Sequence, residues 1–325
     1  MTKIFKERVL EVLVKLLPEA QISGIVIDGA RVGFALESAD EALRKACEKA
    51  VFAIPGVEKV TAVLTGPAGR ITVENKNSEV LNRQESLKGV KKIIAIAAGK
   101  GGVGKSTISV NLAVAMAALG KKVGLADADI YGPSIARMLK LKGKPDVQDN
   151  LLIPQKSNGV LCTTMGVLLD DNMPAIWRGP MATKALHQLL KQVNWAVDGE
   201  LDCLFIDLPP GTGDIHLSVT QHYKIDGAII VTTPQEVALM DVRKAVQMFK
   251  RTNVPILGVI ENMSYFEDNA GNKNYIFGQD GGKKLAEEIG SKLLAQIPLN
   301  QEIRERADAG TPQVIAEFTE IVSRL

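Results

Sequence analysis

Apolar and polar positions along this chain follow one rhythm up to about residue 74 and another from about residue 90. In the first stretch, Phe5 to Leu17 has helical apolar spacing and stops before Pro18. Two apolar, β-branched runs, Ile22–Ile27 and Arg31–Leu36, flank Asp28-Gly29, which predicts a hairpin. Glu41 to Ile54 carries an apolar stripe of Leu43, Ala46, Cys47, Ala50 and Ile54, the spacing of an amphipathic helix. Pro55-Gly56 ends it, and Val57–Leu64 alternates as another strand. Residues 1–74 therefore read as a small α/β domain of order α-β-β-α-β, and residues 75–90 as a polar linker.

Beyond the linker, short apolar runs alternate with segments of helical period. The runs are Ile93–Ala98, Val123–Ala126, Cys203–Ile206, Ala228–Val231, Ile256–Ile260 and Leu293–Ile297. Strands alternating with helices predict an α/β fold with a doubly wound, mostly parallel sheet over residues 91–325. Ligands of such sheets bind beyond the carboxyl ends of the strands, so residues just after each run are where chemistry is expected.

Composition narrows the class rather than naming a function. With 325 residues, 46% apolar and 23% charged, the chain is too ordinary for disorder or low complexity. A net charge of +2 argues against nucleic-acid binding by bulk charge. The longest clean apolar run, Leu112 to Leu119, is far short of the roughly 18 residues that a membrane span needs. The opening MTKIFKER places charge where a signal peptide has its apolar core, so a cytoplasmic location is expected. Cys47, Cys162 and Cys203 are widely scattered and form neither a disulfide framework nor a CxxC pair.

The first run of the second half leads directly into Gly99-Lys100-Gly101-Gly102-Val103-Gly104-Lys105-Ser106-Thr107, followed by a helix. This is GxxxxGK[ST] in its strand–loop–helix setting, the phosphate loop of a P-loop NTPase. Its glycines let successive backbone N–H groups turn toward an anion, and the helix N-terminus adds a favourable dipole. Lys105 is expected to reach the β/γ-phosphates of ATP, and Ser106 to ligate Mg²⁺. Two further strand ends supply acids: Asp127 and Asp129 after Val123–Ala126, and Asp207 after Cys203–Ile206. Asp207 is the expected partner of Mg²⁺ and its waters, while Asp127 and Asp129 are expected to orient the attacking water. Together these residues predict an ATPase site. Lys100, a second lysine in the loop, either serves phosphate in its own chain, reaches a partner's nucleotide, or is simply solvated.

Several words of the sequence carry a resemblance. KGGVGKST (Lys100–Thr107) is similar to the deviant phosphate loop of the MinD/ParA/nitrogenase-iron-protein class. DADIYGPS (Asp127–Ser134), WRGPM (Trp177–Met181), DLPPGTGD (Asp207–Asp214), TTPQEVAL (Thr232–Leu239) and ENMSYF (Glu261–Phe266) resemble, in order, the Mrp (ApbC) family of iron–sulfur cluster carrier ATPases. The resemblance implies a homodimer in which Lys100 contacts the partner's nucleotide. It also implies that Asn262 hydrogen-bonds the adenine edge, that Asp127 and Asp129 form the first switch, and that the partners are apo iron–sulfur clients or assembly proteins. The first domain resembles, more weakly, the small iron–sulfur assembly domain that often precedes these ATPases; its usual cysteine-containing turn is replaced by Glu37–Glu41.

The chain departs from that family in one respect. Members usually carry CxxC shortly after the NMSYF word, and two subunits together bridge a cluster with those thiolates. Here Glu267 to Phe277 contains no cysteine, and soft thiolates are the ordinary ligands of such clusters. Cys47, Cys162 and Cys203 lie on apolar stripes or strands and read as core, and His187, His216 and His222 make no metal-spaced pair. No iron–sulfur ligands are identifiable. Two other readings remain at this point: a MinD/ParA-like positioning ATPase, and an ATP-dependent scaffold without a cluster. Against the first, the last helix, Val314–Leu325, offers Glu317, Glu320 and a single Arg324 on its polar face, poor for anionic lipid. Neither nucleic acid nor membrane is expected as a partner.

Overall fold

The computed structural model describes residues 6–18, 22–38, 40–65, 84–130, 132–165, 179–312 and 315–325. The chain divides into two compact units, Met1–Asn82 and Arg83–Leu325. Of the segment expected as a linker, residues 75–83 lie outside the described residues, as do Tyr131, Trp177 and Arg178 of the quoted words.

In the smaller unit, helix α1 (Lys6–Leu13), strands β1 (Ile22–Asp28) and β2 (Arg31–Glu37), helix α2 (Glu41–Phe52) and strand β3 (Lys59–Thr65) follow one another. β2 is central, antiparallel to β1 and parallel to β3. Both helices place their apolar stripes, Val9 and Leu13 on α1 and Cys47 and Val51 on α2, in one core with Val32, Phe34 and Leu36 of β2. The turn before α2 is occupied by a helix cap: the Asp40 carboxylate accepts the N–H groups of Ala42 at 2.8 Å and Leu43 at 3.3 Å. Such a cap contributes about 1 kcal/mol.

Among the described residues, the larger unit is built on an eight-stranded sheet. Its chain order is β4 (Ile93–Ala98), α3 (Lys105–Ala118), β5 (Val123–Asp127), α4 (Ile135–Met138), the short strands β6 (Val147–Gln148), β7 (Leu151–Leu152) and β8 (Gln155–Ser157), then β9 (Val160–Thr164). There follow α5 (Gly179–Lys191), β10 (Cys203–Asp207), α6 (Asp214–His222), β11 (Gly227–Thr232), α7 (Glu236–Arg251) and β12 (Ile256–Glu261). A small ribbon, β13 (Phe266–Glu267) with β14 (Lys273–Asn274), precedes α8 (Gly281–Glu288), β15 (Leu293–Gln296), α9 (Gln301–Ala309) and α10 (Ala316–Ser323). The sheet order is β15-β12-β11-β4-β10-β5-β9-β8, parallel throughout except for the edge strand β8.

Alternation along the central strand shows why the runs read as continuous. Ile93, Ala95 and Ala97 of β4 enter one core, and Ile94, Ile96 and Ala98 enter the other. The first core is closed by Leu186 and Leu190 of α5, Val219 of α6 and Val246 of α7. The second is closed by Ile108 and Leu112 of α3 and by Phe318, Ile321 and Val322 of α10. A strand buried on both faces has no polar side to alternate with. The apolar face of α10 is thus spent inside the unit. Residues 84–90 also pack here: the Glu85 N–H donates to the His222 carbonyl at 2.7 Å, and Leu87 is buried. Among the described residues, no helix is long and apolar enough to cross a membrane.

Candidate nucleotide site

The loop from Gly99 to Gly104 joins the central strand β4 to α3, and β10 and β5 lie next in the sheet, so their terminal acids rise beside it. Lys105 is 6% exposed, and its Nζ sits 2.7 Å from Asp207 Oδ2 and 3.9 Å from Asp129 Oδ2. The Ser106 hydroxyl donates to Asp207 Oδ2 at 2.6 Å, and the Ser109 hydroxyl donates to Oδ1 at 2.6 Å. Asp207 is 0% exposed. A buried carboxylate is tolerable only when its charge is compensated; here an ammonium and two hydroxyls do so.

Asp127 and Asp129 separate in role. Asp127 is fully buried and accepts four donors: the N–H groups of Asp129 (3.2 Å), Ser134 (3.2 Å) and Ile135 (3.1 Å), and the Thr164 hydroxyl (3.2 Å). Burial and the nearby Asp207 carboxylate raise its pKa. Its bonds organise the turn that leads into α4. Asp129 instead lines the phosphate-side cavity, while its Oδ1 accepts the Gly132 N–H at 3.2 Å.

That cavity, about 400 Å³, is lined by Gly101, Gly102 and Gly104, by Lys100, Lys105, Ser106 and Thr107, and by Asp129, Arg137 and Asp308. A second cavity of about 330 Å³, lined by Asn262, Met263, Pro298, Leu299, Ile303 and Arg304, shares Gly104, Thr107, Met138 and Asp308 with the first. The first end carries the charged and hydroxyl side chains, and the second is the more apolar of the two. Val103 of the loop is buried beneath them, and Gly99 is buried at the strand end. The Asn262 amide donates from Nδ2 to the Val103 carbonyl at 2.8 Å, fastening the apolar end to the loop. Gly104 has φ +81°, and a Cβ there would lie 2.2 Å from Asn262 Nδ2. A side chain there would be strained by the backbone and would displace the Asn262 amide.

Of the residues expected from the sequence, Lys100, Lys105, Ser106, Thr107 and Asp129 line the first cavity and Asn262 the second, with Asp207 paired to Lys105. Sequence reasoning missed Ser109, Arg137, Thr164, Arg304 and Asp308. Ser109 carries a weak signal, since its spacing of three from Ser106 puts both hydroxyls on one helix face. Thr164, Arg304 and Asp308 come from segments distant in sequence and carry none, and Arg137, three residues beyond Ser134, stands in no motif.

His216, in α6 just after the loop that follows Asp207, is 1% exposed, and among the described residues neither ring nitrogen has a partner in good hydrogen-bond geometry. Burial first, and the Lys105 charge second, lower its pKa to about 4. The three cysteines are buried free thiols. Burial raises the Cys47 and Cys162 pKa values and pushes Cys203 up to about 12. Among the described residues, no group of three or more His, Cys, Asp or Glu side chains could hold a metal ion. Where the family resemblance implies a cysteine pair, the chain forms the β13–β14 ribbon. Its turn is closed by Asp268 Oδ1, which accepts the N–H groups of Ala270 and Asn272, both at 2.9 Å.

Residues 89–324 match the family description "ParA: NUBPL iron-transfer P-loop NTPase". The chain is 47% identical over 244 residues to the mouse iron-sulfur cluster transfer protein NUBPL, covering 74% of this chain and 76% of that one. It is 43% identical over 299 residues to the iron-sulfur cluster carrier protein of Escherichia coli K12, covering 90% and 78%. Among solved structures, the nucleotide-binding protein of Archaeoglobus fulgidus in complex with ADP aligns with TM-score 0.62 at 38% identity, over 71% of this chain and 91% of that one. The cell division ATPase MinD of Pyrococcus furiosus shares the fold, with TM-score 0.52 at 22% identity over 71% and 97%.

Proposed function

This chain belongs to the ParA family of NUBPL iron-transfer P-loop NTPases, and from that premise we propose that it binds and hydrolyses ATP to drive iron–sulfur cluster transfer to apo-protein clients. The observation that carries the reading is the junction of Lys105, Ser106 and Asp207 at two adjacent strand ends, opening toward a cavity with one end lined by charged and hydroxyl side chains and one more apolar end. Backbone N–H groups of the loop and Lys105 hold the phosphates, and the base lies between Asn262 and Pro298–Ile303. Asp129 faces the first cavity and orients water there. Asp127 acts through the turn it organises.

The donor set fits Mg²⁺: Ser106 Oγ and Asp207 Oδ2 are hard oxygens 2.6 Å apart, suited to a small cation that keeps its waters. Ser106 would ligate the ion and Asp207 would hold its waters. When bound, Mg²⁺ neutralises charge developing on the phosphoryl oxygens. Lys105, now on Asp207, is the cation that shifts toward the β/γ-phosphates as nucleotide enters. Lys100 lines the same cavity, and we assign it to nucleotide across a homodimer in a cytoplasmic protein.

The cluster is cargo, and this chain's own thiols are poor holders of it. A buried thiol with a raised pKa does not present the thiolate that iron needs. We assign the cluster's thiolates to the client or an assembly partner. Anaerobic reconstitution with iron and sulfide, followed by iron counting and an ATPase assay on the same preparation, tests both parts. The expected result is Mg-dependent ATP turnover with no iron retained by the chain. Stoichiometric iron overturns the assignment of the thiolates to a client or partner, and absent turnover overturns the ATPase.

A further inference from the structure

Glu261, the last residue of β12, is buried at 0% exposure and takes no part in the phosphate chemistry. Its Oε1 accepts the Ser264 hydroxyl and Gln296 Nε2, the latter at 2.9 Å; its Oε2 accepts the Gly282 N–H at 2.5 Å. Among the described residues, no cation pairs with it. Its oxygens are met by three neutral donors, one of them in the first turn of α8. The approach is close: a Cβ on Gly282 would lie 2.8 Å from Glu261 Cβ.

The three donors have a particular placement. Ser264 precedes the excursion of residues 265–280, which carries the β13–β14 ribbon, and Gly282 follows it. Both feet of that excursion are therefore fastened to one carboxylate. The next residue in the chain is Asn262, whose amide bonds to the Val103 carbonyl of the phosphate loop, and then Met263, held at φ +53° beside the apolar cavity. A separate link joins the same regions, since the Leu299 N–H of the cavity wall donates to the Tyr265 carbonyl at 2.7 Å.

We propose that Glu261 is a positioning residue that makes the base-side turn and the 265–280 excursion one mechanical unit, so that nucleotide bound against Asn262 and Met263 sets the conformation of the ribbon. This rests on the nucleotide reading above and extends it to the segment that would report nucleotide state to a client.

Hydrogen exchange read by mass spectrometry, with and without Mg-ADP, tests it on the full chain. In the native protein ADP slows exchange in residues 99–107 and also in 265–282. In Ser264→Ala and in Glu261→Gln, ADP still protects 99–107, while its protection of 265–282 falls by about threefold or more. Glu261→Gln also raises KM for ATP by about tenfold with kcat within about twofold, a split that loss of folded protein does not produce. Unchanged coupling in both variants, or a native ribbon that ignores ADP, overturns the proposal. Failure of ADP to protect 99–107 in the native chain overturns the nucleotide reading instead.

Discussion

Two acids end two buried parallel strands of the same sheet, Asp207 on β10 and Glu261 on β12, and both are fully buried. Each follows an apolar run with the same sequence signature. Asp207 meets an ammonium and two hydroxyls, whereas Glu261 meets a hydroxyl, a side-chain amide and a helix N–H. Strand order makes the difference: β10 is adjacent to β4 and its phosphate loop, while β12 lies beyond β11. A carboxylate ending a buried strand thus meets the phosphate-loop lysine in one place and helix and side-chain donors in the other.

The sharpest way to break this contrast is Asp207→Ala. It removes the 2.7 Å partner of the buried Lys105 ammonium and leaves it the Asp129 carboxylate at 3.9 Å, so urea unfolding should show a loss of about 3–5 kcal/mol. ATP turnover should fall by about 10²-fold or more. Near-normal turnover would remove Asp207 from the site.

The second test uses the histidine near Lys105. His216 is held neutral in the folded chain with a pKa of about 4, against 6.5 when unfolded. Between those values the unfolded chain binds a proton that the folded chain does not. Stability is therefore full above pH 6.5 and is lost as pH falls, by about 3 kcal/mol at pH 4. His216→Phe should flatten that part of the stability–pH curve, and an unchanged slope would locate the acid sensitivity elsewhere.

A smaller effect is expected at the loop glycine that abuts Asn262. Gly104→Ala is strained at φ +81° and displaces the Asn262 amide, costing about 1–2 kcal/mol and raising KM for ATP. Calorimetry and an ATP titration would check both. Smallest is Asp268→Ala in the ribbon turn, where both acceptor bonds are exposed. Exchange at the Ala270 and Asn272 amides should quicken while the melting temperature moves by no more than about 2 °C. A large fall would mean that the ribbon supports the whole unit.

What could be read from sequence was what local pattern encodes. The phosphate loop is a contiguous strand–turn–helix, so Gly99–Thr107 declared themselves, and a double-sided buried strand shows as an unbroken apolar run. Asp127 shows the limit: three of its donors lie within eight residues, but they are backbone N–H groups whose direction the side-chain pattern does not encode, and the fourth, Thr164, is far along the chain. The edge strand β8 and the ribbon strands are two or three residues long, below any readable period. The wall formed by Pro298, Leu299, Ile303 and Arg304 is assembled by tertiary packing, and so carried no signal.

The central position of β4 has a consequence for how the protein is made. β4 ends at residue 98, yet its two hydrogen-bonded neighbours are β10, starting at Cys203, and β11, starting at Gly227. During synthesis the phosphate loop emerges early on a strand with no partners, and the closure of such long-range parallel pairs is slow. Nucleotide affinity should thus arise late, after more than half of the chain has left the ribosome. Until then the exposed β4 edge is the part of the nascent chain most in need of protection from aggregation.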